Sequence, residues 1–408
     1  MRRRLFLAAA GAAAVSPAAA DGLDVAILGG GLAGLTAARA LIAANKKVLV
    51  IEARDRIGGR TFTDTSLGLA FDTGATWIAP GPLAKELGGK PVPGPQQEAV
   101  VLGGTPLTAE RLVQYGKSLQ AMAATLKEVH DKAPGVDPRQ VLHPNVPADQ
   151  LAYFQLTHKP PFEMHQSLEG GIGAAVARLG ARVPVKLGTQ VLRIDSTNPA
   201  IEIVTTTGTV LARSVIVTVP VSVLGGGHFG FAPPLRPNKR EAIASFTMAS
   251  SLRIAVAFSQ AVPKAPADSL LTGISVSGQP FQALVRPQDR NAAIVVLSDE
   301  AARQVEEQGP SAAGAFALST LAEVYGKELR AAFKGAVASR WGRDPLAAGA
   351  WCVGAKGAAA VLAAPHNERI FFAGEATEEG AGTIEAGPLQ AAWASGLRAA
   401  GEAKALLR

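Results

Sequence analysis

The chain has 408 residues, 48% of them hydrophobic and 18% charged, which suits a large buried core over two or three domains and excludes a disordered charged chain. Its formal charge of +7 falls to about +4 once Arg2, Arg3 and Arg4 are set aside. The sequence has no basic stripe with interleaved aromatics, so nucleic acid is not an expected partner. A single cysteine, Cys352, rules out an intrachain disulfide.

The N-terminus carries Arg2-Arg3-Arg4, an apolar run from Leu5 to Val15, and Pro17-Ala18-Ala19-Ala20. A basic head, a short apolar stretch and a small-residue end predict an export signal over residues 1–20. Arg3-Arg4-Leu5-Phe6-Leu7 fits the twin-arginine pattern, a route for proteins already folded around a cofactor, so a periplasmic or exported bacterial location is expected. The apolar run is too short for a comfortable bilayer span, and no later run is long enough.

Asp24 to Leu28 reads as a strand, Leu32 to Ala44 as a helix, and Lys47 to Ile51 as a second strand ending at Glu52. This βαβ unit implies a parallel sheet with a right-handed crossover. Between strand and helix lies Gly29-x-Gly31-x-x-Gly34. The first glycine permits the turn, the second admits a pyrophosphate, and the third lets helix and strand pack closely. Leu32 and Ala33 open the helix, whose N-terminus favours phosphate. Glu52 stands where a carboxylate accepts ribose hydroxyls. The pattern predicts a dinucleotide site without choosing between NAD and FAD.

Further along, the Pro- and Gly-rich stretch from Pro80 to Pro95 reads as a boundary. Ala109 to Lys132 is predicted helical, followed by a polar stretch to Pro161. Strands are predicted at Ile201–Thr207 and Val210–Val219, joined by a Gly208-Thr209 turn, and at Arg253–Phe258 and Ala292–Leu297. Ser311–Tyr325 reads as a helix, Ile370–Ala373 as the last strand, and a long helix starts near Pro388. The six histidines show no ligand-like spacing, so no metal site is expected.

Glu52-Ala53-Arg54-Asp55-Arg56-Ile57-Gly58-Gly59-Arg60 resembles the segment after the second strand in flavin-dependent amine oxidases. Asp72-Thr73-Gly74-Ala75-Thr76-Trp77 resembles the element that runs behind the isoalloxazine ring in that family. Gly170-Gly171, Val191, Val215 to Pro220, Pro233-Pro234-Leu235 and Lys239 follow the family's order. So do Trp341, Asp344-Pro345, Gly349-Ala350-Trp351, Phe372-Ala373-Gly374-Glu375-Ala376-Thr377 and Ser395 to Ala400.

The resemblance implies an α/β fold: a discontinuous, Rossmann-like FAD-binding domain (21–82, 166–230 and 335–408) and a smaller α+β substrate domain (83–165 and 231–334). It implies that Gly59, Arg60, Gly374 and Glu375 lie by the cofactor, that backbone groups at Val191 hold the adenine, and that Leu389 offers an N–H to the flavin. It further implies hydride transfer from a neutral amine or amino acid to flavin, with oxygen reduced to hydrogen peroxide.

Trp351 occupies the position of an aromatic wall beside the flavin, while the opposite wall falls at Pro388, which leaves a two-ring cage incomplete. Ala350 stands where some relatives carry a cysteine joined to the flavin, so FAD is expected to bind non-covalently. Arg253 aligns with a lysine that holds a water beside flavin N5 in many relatives. An arginine keeps the charge but does not share a proton, so slower reoxidation is expected. Only 95 residues separate Gly74 from Gly170, fewer than the family usually has there. The same frame serves dehydrogenases and desaturases of C–C or ring bonds, and a flavin-binding partner without turnover is a third reading.

Overall fold

The computed structural model describes residues 22–95, 97–108, 110, 111, 113, 117, 166–227, 230–262, 265–379 and 387–407. The expected signal at 1–20, most of the expected helix at 109–132 and the polar stretch to Pro161 lie outside the described residues.

The first strand, Leu23–Leu28, pairs in parallel with Gly208–Val217 on one side and Val48–Ile51 on the other. The sheet runs Gly230–Ala232, Val191–Asp195, Ile201–Thr205, Gly208–Val217, Leu23–Leu28, Val48–Ile51, Val185–Lys186. Ile370–Phe372 adds in parallel to the end of Gly208–Val217. Both faces are covered, which explains why these strands read as unbroken apolar runs. Val25, Ile27, Val50 and Ile216 pack beneath the first helix, Leu32–Ala43, and the C-terminal helix, Pro388–Leu406. Their neighbours Ala26, Leu28, Ile51, Val215 and Val217 fill the opposite core with Phe372. Each fully buried Val, Ile or Leu contributes about 1.5–3 kcal/mol here.

The hairpin differs from expectation. Thr205 pairs with Gly208, so Thr206 and Thr207 form the turn and Gly208-Thr209 belongs to the strand. The Thr205 hydroxyl accepts from Thr207 N at 3.2 Å and donates to Gly208 O at 2.6 Å. A threonine hydroxyl closing a local ring thus sets this turn, and glycine follows it.

A second sheet runs Phe333–Ala338, Ser251–Phe258, Ala292–Ser298, Pro280–Val285, Ser269–Ile274, Gln97–Leu102, Thr105–Pro106. It is antiparallel except where Gln97–Leu102 runs parallel to Ser269–Ile274. Helices Asp299–Glu307 and Pro310–Tyr325 cover one face through Ala301, Val305, Ala313, Ala317 and Leu321. The expected boundaries at 230/231 and 334/335 each fall inside a strand: Gly230–Ala232 joins the first sheet, and Phe333–Ala338 the second. Among the described residues no helix is long and apolar enough to cross a membrane.

Candidate functional site

The carboxyl ends of four parallel strands converge, and a ligand site forms where such ends open. Gly29 follows the first strand, Glu52 the second, Thr218 the third and Ala373-Gly374 the fourth. Gly29 has φ +110°, a conformation that disfavours any side chain, and a Cβ there would meet Thr218 Oγ1 at 2.6 Å. A Cβ on Gly34 would sit 2.0 Å from Gly29 O. Gly34 therefore sets the close approach of helix to strand and, unlike the other predicted residues, does not line the cavity.

Glu52 is buried at the next strand end. One carboxylate oxygen accepts from Gly30 N at 2.6 Å and the other from Arg54 N at 2.8 Å. Arg54 is paired with Asp344 at 2.7 Å, which ties the glycine-loop side to the loop after Trp341. Arg56 instead serves the loop itself, donating to Ile57 O and Gly59 O and lying over the Phe62 ring.

Arg60 and Glu375 form an ion pair at 2.5 Å. Arg60 also donates to Ala350 O, and the same Glu375 oxygen accepts from Cys352 N. Trp341 donates from Nε1 to Thr73 O at 2.8 Å, and Gly374 N donates to the Ser395 hydroxyl. The two ends of the chain thus close on one another through polar contacts as well as apolar packing.

These groups surround a cavity of about 590 Å³, inside the roughly 300–1,000 Å³ usual for cofactor and ligand sites. Gly29, Gly31, Leu32, Ala33, Glu52, Ala53, Arg54, Gly59 and Arg60 line it from the N-terminal side. Gly74, Ala75, Thr76, Trp77, Val191, Trp341, Gly374, Glu375 and Leu389 complete the predicted cofactor set. Trp351, Arg253 and Pro388 are also at the wall.

Arg253 reaches this site from the second sheet. Its Nε donates to Asp72 O at 3.1 Å, and its backbone N donates to Ser339 Oγ at 2.9 Å. Burial lowers its pKa to about 10, against the opposing effect of Asp72, so it is cationic at neutral pH. The Asp72 carboxylate itself turns to the start of helix Ile172–Gly180, accepting from Ile172 N and Gly173 N, and from Thr63. Burial raises the pKa of Asp72, with these hydrogen bonds opposing the rise.

The cavity also takes in Thr189, Gln190, Thr218, Ser251, Leu346 and Gln390, which sequence reasoning did not single out as site residues. Thr218 had a usable signal, since it follows a parallel strand directly. Thr189 had none: it arrives through a backbone bond from its N to Glu52 O. Cys352 does not line the cavity and is buried in the core, where burial pushes its thiol pKa up. Among the described residues no group of His, Cys, Asp or Glu is placed to hold a metal.

The residues present fit FAD. The first helix begins at Gly31 with no side-chain cap, so its N-terminus is left to an anionic group at Leu32 and Ala33. Glu52 supplies a carboxylate one strand away, and the bare backbone of Gly31 and Gly59 leaves room for close approach.

A family model described as "Flavin containing amine oxidoreductase" matches residues 32–94 and 113–403. Polyamine oxidase 2 of Arabidopsis thaliana is 25% identical over 438 residues, a match covering 92% of this chain and 87% of that protein. Lysine-specific histone demethylase 1 homolog 2 of Oryza sativa subsp. japonica is 29% identical over 416 residues; the match covers 87% of this chain and 54% of that protein. A solved structure of wild-type putrescine oxidase bound to putrescine shares the fold, with TM-score 0.70 and 20% identity over 94% of this chain and 99% of that one. With the glycine loop, Glu52 and the Arg60–Glu375 pair gathered around one cavity, and the family model spanning most of the sequence, the chain belongs to the flavin-containing amine oxidoreductases and uses FAD.

Proposed function

We propose that the protein oxidises a small amine to an imine, which water hydrolyses, and that oxygen receives the electrons as hydrogen peroxide. One observation carries this reading: a single cavity joins the uncapped helix N-terminus to Trp351 and Arg253. The similarity to polyamine oxidase and putrescine oxidase supports an amine as the substrate class. FAD, when bound, supplies the two-electron acceptor. Ala350 at the cavity wall and Cys352 in the core support non-covalent binding.

The chain's own residues select and orient the substrate. Trp77, Trp341 and Trp351 give the cavity broad apolar walls, which favour a desolvated amine. Arg54 and Arg60 are neutralised by Asp344 and Glu375, whereas Arg253 bonds no carboxylate and disfavours an ammonium beside it, so the amine is held neutral with its lone pair available. Arg253 then offers fixed positive charge as negative charge develops on oxygen. The N-terminal segment supports export by the twin-arginine route, with the cofactor already in place.

The test is an anaerobic mixture of holoprotein with a panel of amines and amino acids, followed by air. Bleaching of the flavin absorption and then release of one peroxide per flavin reoxidised are expected. Bleaching without peroxide would transfer the protein to the dehydrogenases, and no bleaching with any compound would favour a binding partner without turnover.

A further inference from the structure

The charged groups of the cavity are unevenly satisfied. Arg54 is paired with Asp344, and Arg60 with Glu375. Both oxygens of Glu52 accept backbone N–H groups, and Glu375 serves Arg60 and Cys352 N together. Arg253 is different. Its Nε is fixed on Asp72 O, while Nη1 and Nη2 have no partner among the described residues. The nearby Asp72 carboxylate favours the charged form, but its oxygens are engaged by Ile172 N, Gly173 N and Thr63 and do not bond the guanidinium. Among the described lining residues, then, the charged group that bonds no counter-ion is a cation, and neither lining carboxylate is free.

This arrangement bears on the part of the substrate that does not react. A diamine or polyamine brings a second ammonium, which needs a carboxylate, and among the described lining residues it would find none free. A guanidinium whose Nε is already tethered presents its remaining N–H groups as a planar fork, the shape that receives a carboxylate with two hydrogen bonds. A buried cation also costs free energy until an anion reaches it. Arg253 lies on the second sheet, whereas the helix N-terminus suited to the pyrophosphate packs on the first, so the cofactor's anionic group has its own N–H donors.

We propose that the substrate amine carries a carboxylate and that the Nη1 and Nη2 groups of Arg253 bind it, making the substrate an amino acid and not a diamine. The proposal rests on the amine-oxidation reading and narrows it.

The holoprotein is titrated anaerobically with pentanoate, a non-reacting carboxylate, and then with norvaline, butylamine and putrescine separately. Pentanoate is expected to perturb the flavin absorption saturably, and norvaline to bleach the flavin at lower concentration than butylamine or putrescine. Arg253→Met is expected to weaken pentanoate binding roughly 10- to 150-fold, the value of hydrogen bonds to a charged group. Arg253→Lys should recover part of that loss, and butylamine bleaching should change less than norvaline bleaching in both variants. Putrescine acting at lower concentration than norvaline, or pentanoate binding equally to wild type and Arg253→Met, would overturn the proposal. Should no amine bleach the flavin, amine oxidation fails, while the pentanoate titration still decides what Arg253 binds.

Discussion

Arg253 joins two requirements that a single side chain seldom meets together. It is buried enough for its pKa to fall to about 10, yet it is still cationic at neutral pH. A lysine so placed could share its proton; a guanidinium stays a fixed charge. Replacing Arg253 with Met should slow reoxidation of the reduced flavin in stopped flow by roughly tenfold or more, the effect of losing one charge-stabilising group of about 1.4 kcal/mol or more. An unchanged oxygen reaction would remove the residue from that half of the cycle. At this scale the sequence was uneven as a guide. Gly29 and Glu52 were legible from the strand-glycine-helix-strand pattern, and Arg60 and Glu375 from contiguous motifs that resemble the family's. Gln190 and Ser251 were not, because long-range strand pairing brings them to the wall.

Two elements show how tightly the frame is built. The first helix approaches its strand through Gly34, where an added Cβ would lie 2.0 Å from Gly29 O. Gly34→Ala therefore has to displace the helix that faces the cofactor. It should cost about 1–3 kcal/mol by overpacking and yield protein with substoichiometric FAD, read from the ratio of flavin to protein absorbance. The second case is helix Ala358–Ala363, whose final carbonyls need donors. The buried Lys239 ammonium supplies them, reaching Val361 O, Leu362 O and Ala364 O at 3.1, 2.7 and 2.5 Å and lying over the Phe372 ring. Lys239→Met should lower stability by about 2 kcal/mol in urea denaturation.

Burial, with Arg236 and Arg398 adding to it, lowers Lys239 from 10.5 to about 8. Between those values the unfolded chain binds more protons than the folded one, so this group makes stability rise with pH there. Lys239→Met should flatten that rise; an identical slope in both proteins would discount the group. Lys239 was visible in the sequence only as a position in the family's order. Its role as a helix terminator depends on a segment more than a hundred residues away. The hairpin shift to Thr206-Thr207 has a similar lesson, since a hydroxyl bond outweighed the glycine as a turn signal.

For the whole molecule, the strand-helix-strand beginning made the first sheet legible, but the second sheet was harder to foresee. Its strands were individually readable at Arg253–Phe258 and Ala292–Leu297, whereas the parallel pairing of Gln97–Leu102 with Ser269–Ile274 joins distant segments with no local mark. The proposed export of a folded, loaded protein gives a prediction at this scale. Replacing Arg3 and Arg4 together with lysine should leave flavin-containing protein in the cytoplasm, measured by fractionation, and secretion at the wild-type level would sink the twin-arginine assignment.

The Arg60–Glu375 pair sets a clock on cofactor loading. Its partners are 315 residues apart, so at roughly 5–20 residues per second a ribosome takes roughly 15–60 s to deliver the second after the first. The glycine loop emerges early but waits for the last helix, which packs beside the first through Ala399, Ala400 and Ala403. The nascent chain therefore cannot enclose its flavin during synthesis. Loading belongs to the finished polypeptide, after release from the ribosome, and under the proposed export it has to precede translocation.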